Sequence, residues 1–249
     1  MNDVLKNATS PAAANRAAYH AEVDKLRLRE KAHMHESDAI AAARRRLPMV
    51  EVDGTTQLTG ERGSVTLLEA FEGRRMLLAY YFMWYPGNPA PEQCEGCTWF
   101  TTQVRELPHL HSRDVTYATF CQGPYPESVR YHDFMGWKMP WYSIGQKSLE
   151  TLLAGRKAGL MYLISYLREG SKVFETYWTT RRGVEAMDNT YRLLDLTVYG
   201  RQEKWEESPR GWPQLREGKM NMRDRERPIS QWSRLEAGRS DKLSDPRGA

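Results

Sequence analysis

Residues 76–107 read MLLAYYFMWYPGNPAPEQCEGCTWFTTQVREL, and this stretch decides how the rest of the chain is arranged. Met76 to Trp84 is apolar or aromatic without interruption, the pattern of a strand buried on both faces of a sheet covered by helices. A Pro/Gly-rich loop follows from Tyr85 to Gln93. Cys94-Glu95-Gly96-Cys97 then opens a helix-like segment that continues through Thr98 to Leu107.

A C-x-x-C pair at the junction of a buried strand and a helix points to redox chemistry. Two intervening residues put both sulfurs on one helical turn, within reach of a disulfide. At a helix start, unpaired N–H groups and the positive dipole end favour a thiolate. Such settings lower a cysteine pKa from about 8.5 to roughly 3.5–7.5. Cys94 is then the attacking thiolate, and Cys97, one turn deeper, resolves the mixed disulfide. Two inert buried cysteines, or half of a metal site, are the competing readings.

The chain has 249 residues, 40% of them apolar, enough for a substantial core. No apolar run approaches the roughly 18 residues of a membrane span. Met1-Asn2-Asp3-Val4-Leu5-Lys6 lacks the features of a signal peptide, and three cysteines, two in C-x-x-C, suggest a reducing cytoplasm. Net charge is +4 with acids and bases interleaved, so no nucleic-acid patch is expected.

Along the chain, Pro11 to Leu47 reads as a long helix capped by Ser10, with Tyr19, Val23, Leu26, His33 and Ile40 on a thin apolar seam suited to crossing the domain or meeting a second subunit. Met49 to Val52 and Thr55 to Thr59 read as a hairpin around Asp53-Gly54. Thr66 and Glu69 form a capping box for a short helix closed by Gly73. Thr98 to Leu107 is a helix ended by Pro108, Val115 to Cys121 a strand, Glu127 to Met135 a helix stopped by Gly136, and Trp137 to Ser143 an extended aromatic segment. Leu160 to Leu167 and Lys172 to Thr180 make a hairpin, and Val184 to Leu196 a closing helix. This α/β order, two βα units and then ββα around a central mixed sheet, is that of a thioredoxin-like fold. The division expected is 1–47 as a helical extension, 48–203 as the thioredoxin-like domain and 204–249 as a C-terminal arm. The arm is polar, with Leu215, Ile229, Leu235 and Leu243 its few aliphatics. Trp205, Trp212 and Trp232 are expected to dock it on the same or a neighbouring subunit.

Several short runs recur together: Arg45-Arg46-Leu47-Pro48-Met49-Val50, Phe71-Glu72-Gly73-Arg74-Arg75, Tyr81-Phe82-Met83, Cys94-x-x-Cys97, Pro108-His109-Leu110, Arg113-Asp114-Val115, Met135-Gly136-Trp137, Pro140-Trp141-Tyr142-Ser143, Leu194-Asp195-Leu196-Thr197 and Gly200-Arg201-Gln202-Glu203. Over about residues 40–207 the chain resembles a bacterial thioredoxin-like family known as a domain of unknown function, within the peroxiredoxin/thioredoxin superfamily. The resemblance implies a thioredoxin fold with peroxiredoxin-like decoration. It brings no settled substrate. Thioredoxin-like hairpins usually follow a cis-proline facing the disulfide, and Gly155 to Met161 contains no proline. Peroxiredoxins resemble the Pro140 region and place Thr where Cys94 stands, with the peroxidatic cysteine at the position like Cys97. The nucleophile is therefore open between Cys94 and Cys97.

Candidate pocket residues are Trp84, Tyr85, Glu95, Trp99, Cys121, Pro140 and Trp141. The aromatics suit an apolar cleft, although large aromatics beside a strand end are commonly core. Glu95 would raise a neighbouring thiolate pKa by like charge. Cys121 is a spare thiol at a strand end. Cys94, Cys97, His109 and His111 supply four zinc-type ligands, but H-x-H misses the usual spacing. Arg156 and Lys157 stand in the loop before the hairpin. Two function classes follow. One is a thiol-disulfide oxidoreductase or thiol-dependent reductase, with a peroxidase-like variant, acting without a cofactor on a small-molecule or protein disulfide or thiol. The other is a non-catalytic ligand- or metal-binding interaction module. A homodimer, without membrane or nucleic-acid partners, is expected for either.

Overall fold

The computed structural model describes residues 8–214 and 222–240. Met1 to Lys6, Leu215 and Leu243 lie outside the described residues. Strand β4 (Met76–Phe82) is the centre of an eight-stranded sheet. It pairs in parallel with β5 (Val115–Cys121) and antiparallel with β7 (Tyr162–Glu169). Beyond β5 lies β6 (Trp141–Ser143), also parallel, and beyond β7 lies β8 (Lys172–Thr180), antiparallel. The hairpin turns at Gly170, whose φ of +63° suits glycine. The parallel β4/β5/β6 set, with helical crossovers and then the antiparallel hairpin, is a thioredoxin-like arrangement.

Alternation along β4 builds two cores, because successive side chains point to opposite faces. Tyr80 and Phe82 join Cys94, Cys97, Phe100, Tyr117, Tyr131 and Trp137 on one face. Leu77, Ala79 and Tyr81 join Phe71, Phe120, Leu149, Leu152 and Ile164 on the other. The first face is covered by α2 (Glu95–Gln103) and α4 (Tyr125–Met135), the second by α5 (Gln146–Leu153) and the turn Glu69–Phe71.

The N-terminal helix α1 (Arg16–Arg44) starts later than Pro11, because Asn15 rather than Ser10 caps it by accepting the Ala18 N–H at 2.9 Å. None of its residues is buried, so it does not cross the domain. The expected 49–59 hairpin is replaced by a longer-range pairing. β1 (Val50–Val52) joins β8, while β2 (Gln57–Gly60) pairs with β3 (Gly63–Thr66) and touches β6. Asp53 accepts the Thr55 N–H and hydroxyl, turning the chain away between the two partners. The Thr66/Glu69 box forms reciprocally, but it caps only a three-residue 3-10 turn, since Glu72 and Gly73 turn left-handed at once.

Pro108 begins α3 (Leu107–His111) instead of ending α2, which stops at Gln103. A proline lacking an N–H is at home in the first turn, where that donor has no partner. The closing helix is split into a 3-10 run, Arg181–Met187, and α6 (Thr190–Leu194), because Asp188 accepts the Tyr191 N–H and starts a second helix. Helix α5 has no counterpart in the sequence reading. In the arm, a small hairpin of β9 (Arg223–Asp224) and β10 (Arg227–Pro228) leads into α7 (Ile229–Glu236).

Candidate functional site

β4 and β5 are parallel, so their carboxyl ends share the edge at which open α/β sheets bind ligands. The loop leaving β4 is shaped by three devices. The fully buried Gln93 side chain accepts the Tyr85 N–H at 3.1 Å and donates to the carbonyls of Tyr85 (3.0 Å) and Asn88 (2.9 Å). Glu127 of α4 accepts the Trp84 indole N–H at 3.2 Å and the Gly87 N–H at 2.8 Å. Gly123, where the chain leaves β5, lies so close that a Cβ would stand 2.1 Å from the Trp84 ring. Together they deliver Cys94 to the start of α2.

Cys94 is the N-cap residue of α2, and its Sγ accepts the Cys97 N–H at 3.3 Å. A sulfur thus stands where a serine or aspartate oxygen commonly satisfies a helix's first donors. Cys97 is fully buried one turn deeper, and its Sγ accepts the Met83 N–H at 3.3 Å. None of the three cysteines is joined in a disulfide. Cys94 retains 6% exposure. Its thiol is held below the ordinary value, chiefly by the hydrogen bond with the Cys97 thiol and then by the Cys97 and Gly96 N–H groups, against burial and the Glu95 carboxylate. Burial pushes the Cys97 thiol far up, and the charge on Cys94 adds to this. The two environments pull the two thiols apart, favouring the thiolate on Cys94 and the protonated form on Cys97. Behind them lie the buried Tyr80 and Tyr117 hydroxyls, Tyr80 facing the Cys97 thiol and Tyr117 the Thr119 hydroxyl. Burial raises both phenols, and the nearby Cys97 adds to the rise.

The other candidates divide. Trp84 is buried against Phe82 and Tyr131, with ring centroids at 6.3 and 5.6 Å. Trp99 donates its indole N–H to Asp188 at 2.6 Å and lies against Tyr191. Trp84 belongs to the core, and the half-buried Trp99 packs against it. Tyr85 is 39% exposed and shares a cleft of about 610 Å³ with Asn88, Pro91, Glu92, Arg223 and Glu226. Glu95 is ion-paired with Arg223 at 3.0 Å. Burial pushes the Cys121 thiol up to about 12, leaving it protonated at neutral pH. Pro140 and Trp141 line a different cleft, of about 590 Å³, with Glu69, Tyr125, His132 and Tyr142.

Among the described residues no group of three or more His, Cys, Asp or Glu is placed to hold a metal, and His109 and His111 lie on α3, apart from the dithiol. Arg156 does not approach the thiolate either, because it forms a bidentate pair with Glu175 at 2.6 and 2.8 Å and donates to the carbonyls of Leu152 and Leu153. No described residue follows a cis peptide bond.

Sequence reasoning missed four polar residues beside the dithiol. Thr98 donates its hydroxyl to the Cys94 carbonyl at 2.8 Å and meets the Tyr131 hydroxyl at 2.7 Å. Thr98 was findable, since a residue four positions on in a helix reaches back to that carbonyl. Arg223 and Gln231 come from the arm and carried no local signal.

The family profile described as "Bacterial protein of unknown function (DUF899)" matches residues 8–232. The chain belongs to this family. No curated protein matches. Among solved structures, a thioredoxin from Wuchereria bancrofti is similar at 14% identity, covering 56% of this chain and 90% of that one, with a TM-score of 0.38. Peroxiredoxin Q from Xanthomonas campestris gives 16% identity, 58% and 92% coverage and 0.37. Tryparedoxin I from Crithidia fasciculata gives 17%, 55%, 88% and 0.33. No helix among the described residues is long and apolar enough to cross a membrane.

Proposed function

We propose that this chain is a thiol-disulfide oxidoreductase or thiol-dependent reductase in which Cys94 attacks and Cys97 resolves. The observation that carries the reading is the Cys97 N–H aimed at the Cys94 sulfur at the first turn of α2. The Cys94 thiolate attacks one sulfur of a substrate disulfide, and the other sulfur leaves as a thiolate with the bonding pair. Cys97 then gives up its proton to a departing thiolate and attacks Cys94 Sγ, releasing the second substrate thiol. The substrate gains two electrons, and the protein is left with a Cys94–Cys97 disulfide that an external low-molecular-weight or protein dithiol must reduce. The reading assigns this chemistry to residues 48–203, in a reducing cytoplasm, with 1–47 and 204–249 as extensions. It carries a homodimer through the exposed seam Tyr19, Leu26 and Ile40 of α1.

Alkylation of the reduced protein with iodoacetamide across pH, read by mass at each cysteine, tests it. A lowered Cys94 pKa means its thiolate persists below the ordinary thiol value of about 8.5, so labelling should stay fast as pH falls toward neutrality. Cys94→Ser should abolish reduction of a model disulfide, and Cys97→Ser should stall at a mixed disulfide on Cys94. Labelling with an ordinary midpoint, together with no intramolecular disulfide in redox buffer, overturns the reading in favour of a non-catalytic module.

A further inference from the structure

The arm is strongly polar, yet between Met222 and Arg239 it returns to the dithiol helix and places two polar side chains on either side of Cys94. Met222 is buried in the same core as the cysteines, and Leu235 packs against it. From β9, the Arg223 guanidinium donates to the Pro91 carbonyl at 2.6 Å, the Gln93 carbonyl at 3.0 Å and the Glu95 carboxylate at 3.0 Å. A fourth bond, to the Glu226 carbonyl at 3.1 Å, ties it to its own hairpin. Its partners in the body of the protein are thus the two residues flanking Cys94 and the carbonyl just upstream.

On the other side, the fully buried Gln231 donates its amide to the Ala90 carbonyl at 2.8 Å and to the Tyr131 hydroxyl at 2.6 Å. Having accepted that proton, Tyr131 has its own to give to Thr98 Oγ1, and Thr98 gives its proton to the Cys94 carbonyl. Every donor in this chain has one direction, running from the arm to the peptide group of Cys94. Tyr80 and Tyr117, buried on the same face, meet Cys97 and Thr119 instead of the arm. Tyr131 is the phenol beside the dithiol that the arm reaches.

We propose that the arm completes the dithiol site, with Arg223 and Gln231 as positioning residues that set the reactivity of Cys94. This rests on Cys94 being the nucleophile. The titratable groups facing Cys94 are Glu95 and Cys97 on α2, Tyr80 on β4, Tyr85 in the loop and Tyr131 on α4. At neutral pH the phenols and Cys97 are uncharged, so Glu95 is the one anion beside the thiolate in this set. Its repulsion would disfavour the charged sulfur. The Arg223 guanidinium, held on Glu95 with both side chains largely shielded, offsets it.

The test follows the pH midpoint of Cys94 alkylation by iodoacetamide in the full chain. Arg223→Gln should raise the midpoint by roughly half to one unit, which slows labelling about three- to tenfold at a pH well below the midpoint. Adding Glu95→Gln to that variant should restore the midpoint, whereas a role limited to holding the arm would leave the double variant as slow as the single one. Glu95→Gln alone keeps the other three Arg223 contacts and should lower the midpoint, so the charge effect is measured even if the arm is loosened by Arg223→Gln. Arg225→Gln removes an arm cation that stacks on Trp232 at 4.1 Å and should change nothing. An unmoved midpoint in Arg223→Gln, or a double variant that stays slow, overturns the proposal. A wild-type midpoint near the ordinary value overturns the thiol reading instead, and the difference between Arg223→Gln and the double variant still decides the coupling.

Discussion

The two ends of this chain are both rich in charged residues and opposite in structure. Helix α1 runs 29 residues without burying one of them, and Tyr19, Leu26, Leu28, Met34 and Ile40 remain exposed. Among its described ring contacts with the body is Arg44 over Tyr177 at 4.9 Å. The C-terminal segment from Met222 onward has few aliphatics, yet it buries Met222 and Gln231 and lays Arg223 on two carbonyls of the dithiol loop. Periodicity makes a helix, and it does not make a docking site. One buried methionine and one directional glutamine attach a polar segment where a long apolar seam attaches nothing within the chain.

That contrast is broken most directly at Met222. Met222→Ala removes a buried side chain from the core shared with Cys94 and Cys97, and should lower unfolding stability by about 2–5 kcal/mol, read as a shifted urea midpoint at unchanged slope. A change within about 0.5 kcal/mol would mean that the arm is not held there. Gln231→Ala comes next, because it deprives the Ala90 carbonyl of a donor and the Tyr131 hydroxyl of its incoming proton. The expected loss is about 1–3 kcal/mol, with hydrogen exchange accelerating at the amides of 90–98 rather than across the sheet. Uniform acceleration would make Gln231 a general packing residue.

The parts of the fold legible in the sequence are those written in local pattern. The uninterrupted run ending at Phe82 has the length and burial of a central strand, and Gly136 stops α4 with a φ of +65°. Thr66 and Glu69 form their box, although Glu72 cuts the helix to one turn. What was not legible is long-range. The Asp53-Gly54 turn signal is real, but it cannot say that β1 leaves for β8, because the choice of partner is made by a hairpin more than a hundred residues away. The site divides in the same way. The sulfur at a helix start follows from C-x-x-C after an apolar strand. The burial of Trp84 and the placing of Trp99 follow from Glu127, Gly123 and Asp188, which lie elsewhere in the chain. Of the three arm tryptophans that signal docking, Trp205 lies under Arg182 and Trp212 against Tyr199 of the body, Trp232 lies under Arg225 of the arm itself, and Met222 and Gln231 reach the core that holds the dithiol.

The smallest expected effect belongs to α1, and it separates two meanings of an exposed seam. Leu26 is 49% exposed, so Leu26→Ala removes little buried surface within the chain and should change its stability by no more than about 0.5 kcal/mol at high dilution. If the seam instead meets a second copy, the same leucine lies in an apolar contact, and Leu26→Glu places a charge inside it. Sedimentation across a dilution series should then show the wild type as a dimer that dissociates on dilution and Leu26→Glu as a monomer throughout, with both keeping the same Cys94 alkylation midpoint. A wild type that stays monomeric at every concentration removes the homodimer from the reading. A variant whose alkylation midpoint moves would show that α1 reaches the dithiol after all, and that the two ends of the chain are less different than their burial makes them.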